Sequence, residues 1–158
     1  MPLNEEDIRR IIEEVVKNLE GYYPEKDDSD GPVFETFDEA IKEAAQAQRV
    51  FQGLGLEKRE EIIMAIREAS RMNSRRWAEM TVSETKMGRV EDKVLKNLLV
   101  ANKTPGVEDL HSISYTGDKG LTLVEYAPFG VVAAITPSTN AVATVISNAI
   151  AILAAGNS

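Results

Sequence analysis

The chain has 158 residues, with 18 Lys and Arg against 26 Asp and Glu, a formal net charge of -8 at pH 7 and 43% hydrophobic residues. That is the composition of an ordinary globular domain, and its acidity argues against nucleic acid, whose binders need a basic face. It contains no Cys, which excludes disulfides, thiolate metal sites and a thiol nucleophile.

The opening segment LNEEDIRRIIEEVVKNLEG reads as a short amphipathic helix. Asn4 is a good N-cap, Glu5, Glu6 and Asp7 sit at the positive end of the helix dipole, and Leu3 with Ile8 can form a hydrophobic staple. Ile8, Ile11, Ile12, Val15, Val16 and Leu19 recur at helical spacing and make one stripe, which Gly21 ends. The interleaved charges rule out a secretory signal. YYPEKDDSDGP has the character of a flexible acidic tether.

A second helix starts at Thr36, where Thr36-Phe37-Asp38-Glu39 fits a capping box, and it breaks near Gly53 and Gly55. EKREEIIMAIREASRM predicts a third, with Ile62, Ile63, Ile66 and Ala69 on one face. RRWAEMTVSET and VEDKVLKNLLVAN predict two further pieces around Gly88, and TPGVEDL a turn. Trp77 and the Met residues fall at helical positions and are expected to pack.

The period then changes. SISYT and LTLVEYA flank GDKG and predict a β-hairpin. VVAAIT predicts a continuous apolar strand buried on both faces, as in a parallel sheet. The closing helix, apolar almost all round, belongs in a core rather than a membrane, since polar residues interrupt it and no basic flank follows. A parallel strand needs a neighbour, and a βα unit is completed by a following strand. The fold class is therefore α/β, with N-terminal helices, a hairpin and one βα unit. A fragment of a larger cytosolic protein is the expectation.

The strongest constellation for chemistry is the strand, then Pro137-Ser138-Thr139-Asn140, then the helix. In α/β folds ligands sit where strand ends meet helix N-termini. The bland alternative is that Ser138 or Thr139 simply caps the helix. The dinucleotide fingerprint GxGxxG is absent. His111, the single histidine, has no partner in sequence reach and reads as a surface residue. SRRWAE reads as a solvated helix face, and no spacing suggests a metal site.

VSETKMGRVEDK, KTPGVEDL, TGDKGLTLVEYAPFGVVAAITPSTN and NAIAILAAGNS together resemble the CoA-acylating aldehyde dehydrogenases of bacterial microcompartments, of the ethanolamine- and propanediol-utilisation type. The resemblance runs in order from Phe34 to Ser158 and covers the N-terminal part of such a chain. It implies a two-step reaction, in which a cysteine thiolate attacks an aldehyde, hydride passes to NAD, and coenzyme A captures the thioester. The family's cysteine would lie beyond Ser158, so this chain alone is expected to be inactive.

The resemblance further implies that the βα unit is the first of an aldehyde-dehydrogenase-type NAD-binding domain, an incomplete Rossmann-like domain here. Ile135, Thr136, Pro137, Ser138 and Thr139 would border the cofactor, and Asn140 would polarise the aldehyde oxygen, with Thr139 the alternative. Two residues depart from the family pattern: Ala141 replaces a Pro after STN, and Lys86 replaces a Gly in SETGMG. The domain reading is a shell-targeting helix over 1–20, a linker over 21–33 and the enzyme portion over 34–158. Expected partners are a microcompartment shell protein on the apolar stripe of the first helix, the remainder of the enzyme, and further copies in a homo-oligomer. No nucleic acid, membrane or metal is expected. The rival reading is a non-catalytic module that docks to the shell through its first helix.

Overall fold

The computed structural model describes Arg10 and residues 33–158. The expected targeting helix and linker lie outside the described residues, apart from Arg10 and Val33. The chain divides between Ala40 and Ile41, and the packing that follows is that of Ile41–Ser158.

Helix α1 spans Phe37–Gln52. Its start is the predicted one, with Thr36 Oγ1 accepting the Glu39 N–H at 3.3 Å, a side-chain cap on an otherwise unpaired donor. Helix α2 runs unbroken over the 30 residues of Leu56–Thr85, about 45 Å at 1.5 Å per residue. The expectation of two pieces here is corrected. No Gly or Pro interrupts the junction, and its polar residues bond back into the helix: Ser70 Oγ donates to Ile66 O at 2.7 Å and Asn73 Nδ2 to Ala69 O at 2.9 Å.

The reversal after α2 is tight. Lys86 closes the helix at φ 57 and ψ 20, its N–H bonded to Val82 O, and Gly88 follows at φ 80. Helix α3 then spans Val90–Lys103, and a short 3-10 turn at Val107–Asp109 follows. Strands β1 (Ile113–Gly117) and β2 (Gly120–Val124) form the predicted antiparallel hairpin, with Gly117 opposite Gly120 across a two-residue turn. Helix α4 spans Ala141–Ala154.

The core lies where α2, α3 and α4 meet. Ile63, Ala101, Ile146, Ile150 and Ala154 are buried there, with Ile66, Trp77, Val100, Val142 and Leu153 packed around them. Small residues let the helices approach closely. Asn97 is buried in the α2–α3 contact and donates to Ser74 O at 3.1 Å, so a polar residue inside is satisfied. Trp77 packs as expected. Met64, Met72, Met80 and Met87 do not, and are about half exposed. Met64, Met72 and Met80 lie off the stripe of Ile63, Ser70, Ser74, Ala78 and Thr81 that α2 buries, and Met87 lies beyond the helix.

The VVAAIT segment departs from expectation: it forms no strand, and it is not buried. Its Ile135 is 96% exposed, and Val131 and Val132 lie at the surface. Among the described residues it has one neighbour, through Val132 N–H to Ser158 O at 2.7 Å and Ser158 N–H to Gly130 O at 3.0 Å. Residue 158 thus bonds to both sides of Val131, the pattern of a parallel pair. With no further pairing along it among the described residues, its faces stay exposed. No helix among the described residues is long and apolar enough to cross a membrane.

Candidate functional site at the strand end

The extended segment leads into Pro137 and a 3-10 turn over Ser138–Asn140, and α4 begins at Ala141. The six residues singled out from the sequence, Ile135 to Asn140, are consecutive along this turn. Ile135, Thr136, Pro137, Ser138 and Thr139 are all exposed, and Asn140 is half-buried. Neither Ser138 nor Thr139 caps the helix, and Asn140 at the N-cap position makes no side-chain cap either. The bland alternative of a capping turn is therefore not what these side chains do.

What holds the turn comes from α3. Lys93 Nζ donates to the carbonyl oxygen of Thr139, and Lys96 Nζ donates to Asn140 Oδ1 at 2.8 Å. The two lysines are three residues apart and share a helix face. Lys93 is buried to 9% exposure, and its stem runs beside Gly88, where an added Cβ would stand 3.1 Å from Lys93 Cε. Gly88 is thus required twice, for its positive φ and for the lysine's path. Thr81, Lys93, Lys96, Asn97, Asn140 and Ala143 enclose a gap of about 10 Å³ beneath the turn, room for one water at most.

Around these lysines α3 opens with charge. Arg89 binds Asp92 through Nε at 2.7 Å, and Arg75 forks onto Glu91 with two bonds of 3.0 Å. The hydrogen bond from Arg89 holds the Asp92 carboxyl below its ordinary range, against a burial penalty, and the charges of Arg89 and Lys96 act the same way. The bond and charge of Arg75 likewise lower Glu91. These exposed pairs at the start of α3 add little to stability.

Sequence reasoning missed Lys93, Lys96 and Asn97. Their partners lie 46, 44 and 23 residues away along the chain, and no local period reports such contacts. The available signal was a pair of lysines spaced by three, on a helix ending short of the turn. His111 is exposed, as expected. It lines a surface groove of about 240 Å³ with Arg59, Glu125, Tyr126 and Pro128, away from the turn. No group of three or more His, Asp or Glu able to hold a metal occurs among the described residues.

The far end of α4 is anchored to the start of the extended segment. Asn157 Oδ1 accepts the N–H groups of Phe129 and Gly130, Gln48 Nε2 donates to Gly156 O at 3.3 Å, and Ser158 Oγ donates to Ala44 O at 2.9 Å. Gly156 has φ 81, and a Cβ there would lie 2.8 Å from Arg59 Nη1. The segment that carries the turn is thereby pinned at both ends, by GNS behind and by α3 in front.

The sequence profile described as the Aldehyde dehydrogenase family matches residues 33–158. The acetylating acetaldehyde dehydrogenase of Bilophila wadsworthia is 41% identical over 100% of this chain and 34% of its own length. The acetylating acetaldehyde dehydrogenase EutE of Salmonella typhimurium is 46% identical over 99% of this chain and 33% of its own. Among solved structures, Rhodopseudomonas palustris propionaldehyde dehydrogenase with bound propionyl-CoA matches with TM-score 0.78 and 45% identity, over 84% of this chain and 30% of that one. Propionaldehyde dehydrogenase from the Clostridium phytofermentans fucose utilisation bacterial microcompartment matches with TM-score 0.77 and 48% identity, over 80% and 29%. The chain spans about a third of the length of the curated relatives it matches. It belongs to the aldehyde dehydrogenase family, and its similarity is to the CoA-acylating members.

Proposed function

We propose that the chain forms the cofactor-facing N-terminal part of an NAD-dependent CoA-acylating aldehyde dehydrogenase that converts acetaldehyde or propionaldehyde to acyl-CoA. The observation that carries this reading is the Asn140 amide. Its oxygen is taken by Lys96, and a lysine ammonium can only donate, so Nδ2 is the end left for another acceptor. An amide N–H beside an exposed strand end can polarise an aldehyde oxygen as negative charge develops on it.

The residues present fit a nicotinamide cofactor. Ile135 to Thr139 offer an exposed edge at the end of the extended segment, and the uncapped start of α4 is electropositive. Bound there, NAD would supply the hydride acceptor. This chain's own part is to present the apolar and main-chain edge of Ile135, Thr136 and Pro137, with Ser138 and Thr139 beside it, and to hold Asn140. Coenzyme A is the co-substrate in this reading, and the nucleophile is a cysteine supplied from outside the 158 residues, which contain none.

The same reading extends to partners and place. The stripe of Ile8, Ile11, Ile12, Val15, Val16 and Leu19 would dock to a shell protein and bring the enzyme into a cytoplasmic microcompartment. The hairpin leaves Ile113, Tyr115, Leu121 and Leu123 exposed, which supports cover by the remainder of the enzyme and by a second copy. The test is complementation. The purified chain, given aldehyde, NAD and coenzyme A, is expected to form no NADH. Mixed or fused with a cysteine-bearing remainder, it is expected to gain turnover that depends on coenzyme A. NADH formed at enzyme-like rates by the chain alone would sink the reading.

A further inference from the structure

Asn140 stands at the N-cap position of α4, with φ -139 and ψ 38 and no cap bond from its side chain. That is unusual chemistry for the place. Asn is among the best N-cap residues, because its oxygen accepts the N–H of the second or third helical residue. Here the oxygen is directed at Lys96 Nζ on α3 instead, 2.8 Å away. The assignment of oxygen and nitrogen in this amide is forced, since an ammonium has no lone pair to accept with. One turn back on the same helix face, Lys93 grips the main-chain carbonyl of Thr139. Two lysines of one helix therefore fix the main chain of one residue and the side chain of the next.

We propose that Lys96 is a positioning residue: it holds the Asn140 side chain off the N-terminus of α4 and so keeps the Nδ2 donor available at the strand end. The catalytic consequence rests on the functional reading above, and the positioning itself does not. Without Lys96, the amide oxygen has a nearby competing site in the N–H groups of Val142 and Ala143, the second and third residues of α4. Lys93 keeps the turn in place while this happens, so the change is confined to one side chain.

The test uses Lys96→Met, which keeps most of the apolar stem and removes the donor. In the full 158-residue chain, amide hydrogen exchange at Val142 and Ala143 is expected to slow roughly fivefold, the order of one side-chain cap. Lys96→Arg should restore the original rates, and Lys96→Met in an Asn140→Ala background should leave them unchanged. A merely structural lysine would do the reverse, since losing a tertiary contact speeds exchange. Unchanged or faster exchange at these two amides in Lys96→Met would overturn the proposal. In a cysteine-bearing acylating enzyme that carries this segment, Lys96→Met should lower kcat on the order of tenfold with little change in KM for the aldehyde. Slowed exchange with unchanged kcat would uphold the positioning and sink the assignment of Asn140 to the aldehyde oxygen.

Discussion

Oδ1 of Asn157 accepts two main-chain donors at once, the N–H of Phe129 at 2.6 Å and that of Gly130 at 3.0 Å. Asn157 is 5% exposed, so this oxygen ties the end of α4 to the start of the segment that leads to Thr139 and Asn140.

Replacing Asn157 with Ala should therefore cost about 2 kcal/mol, since two donors lose their acceptor in a partly buried place. The single Trp of the chain packs against the core, so urea unfolding followed by its fluorescence reads the change directly. A shift equivalent to less than 0.5 kcal/mol, on the order of an ordinary surface substitution, would show that water replaces the side chain without penalty.

Lys86 is the sole non-glycine residue with positive φ among the described residues, at φ 57. In that conformation a Cβ crowds the following carbonyl, which costs an L-residue roughly 1–2 kcal/mol that glycine escapes. The position is a helix C-terminus of the kind glycine commonly occupies. Lys86→Gly should raise stability by about 1 kcal/mol and the melting temperature by a few degrees. Lys86→Ala removes the charge but keeps the Cβ, so it should gain little. Equal gains from both would assign the effect to charge rather than backbone.

Much of this architecture was legible in the sequence because its causes are local. The cap at Thr36, the break at Gly53, the GDKG hairpin and the PSTN turn each depend on residues within a few positions. The interior of α2 was not legible. It buries Ser70, Ser74 and Thr81 alongside Ile63 and Ala78, so its inner stripe carries little hydrophobic signal. The hydroxyls can go inside because Ser70 and Thr81 each donate to the carbonyl four residues back, at 2.7 Å. At the site, Lys93 and Lys96, which hold the turn at Thr139 and Asn140, come from a helix more than 40 residues earlier. The apolar run VVAAIT carried a burial signal that depends on neighbouring strands, and Ser158 alone supplies one among the described residues.

The Arg67–Glu108 pair should make stability depend on acid pH. Arg67 Nη2 lies 2.6 Å from Glu108 Oε1 and also donates to Thr104 O at 2.9 Å, so it joins α2 to the end of α3. Burial raises the Glu108 pKa, but bonds from its own N–H and the Gly106 N–H, with the bond and charge of Arg67, leave it lowered overall. A carboxyl with a depressed folded pKa adds stability that is present above its unfolded pKa, near 4.3. That stability is lost as pH falls through the folded value. Wild type should thus lose stability below about pH 4.3 in a component that Glu108→Gln lacks. Melting curves of both proteins from pH 3 to 7 check this, and parallel curves would show that the pair contributes nothing to folding.

The apolar stripe of residues 8–19 gives the last prediction, which concerns recognition rather than stability. From the sequence, residues 4–19 are expected to form a helix, which at that length is marginal in water when isolated, so its apolar stripe is expected to work against a partner surface. The segment YYPEKDDSDGP between it and the enzyme portion has the composition of a tether, so docking and catalysis should separate. In the cysteine-bearing enzyme, deleting Met1 to Glu20 should leave turnover nearly unchanged and abolish association with the shell, scored by co-purification with assembled compartments. Fusing the same residues to an inert protein should confer association. Ile11→Glu and Val15→Glu each place a charge within the stripe and should abolish it, whereas Glu14→Lys, on the polar face, should matter much less. Equal losses from the apolar and polar substitutions would make net charge the recognition signal. A fall in turnover on deletion would instead make the segment part of the enzyme's own fold.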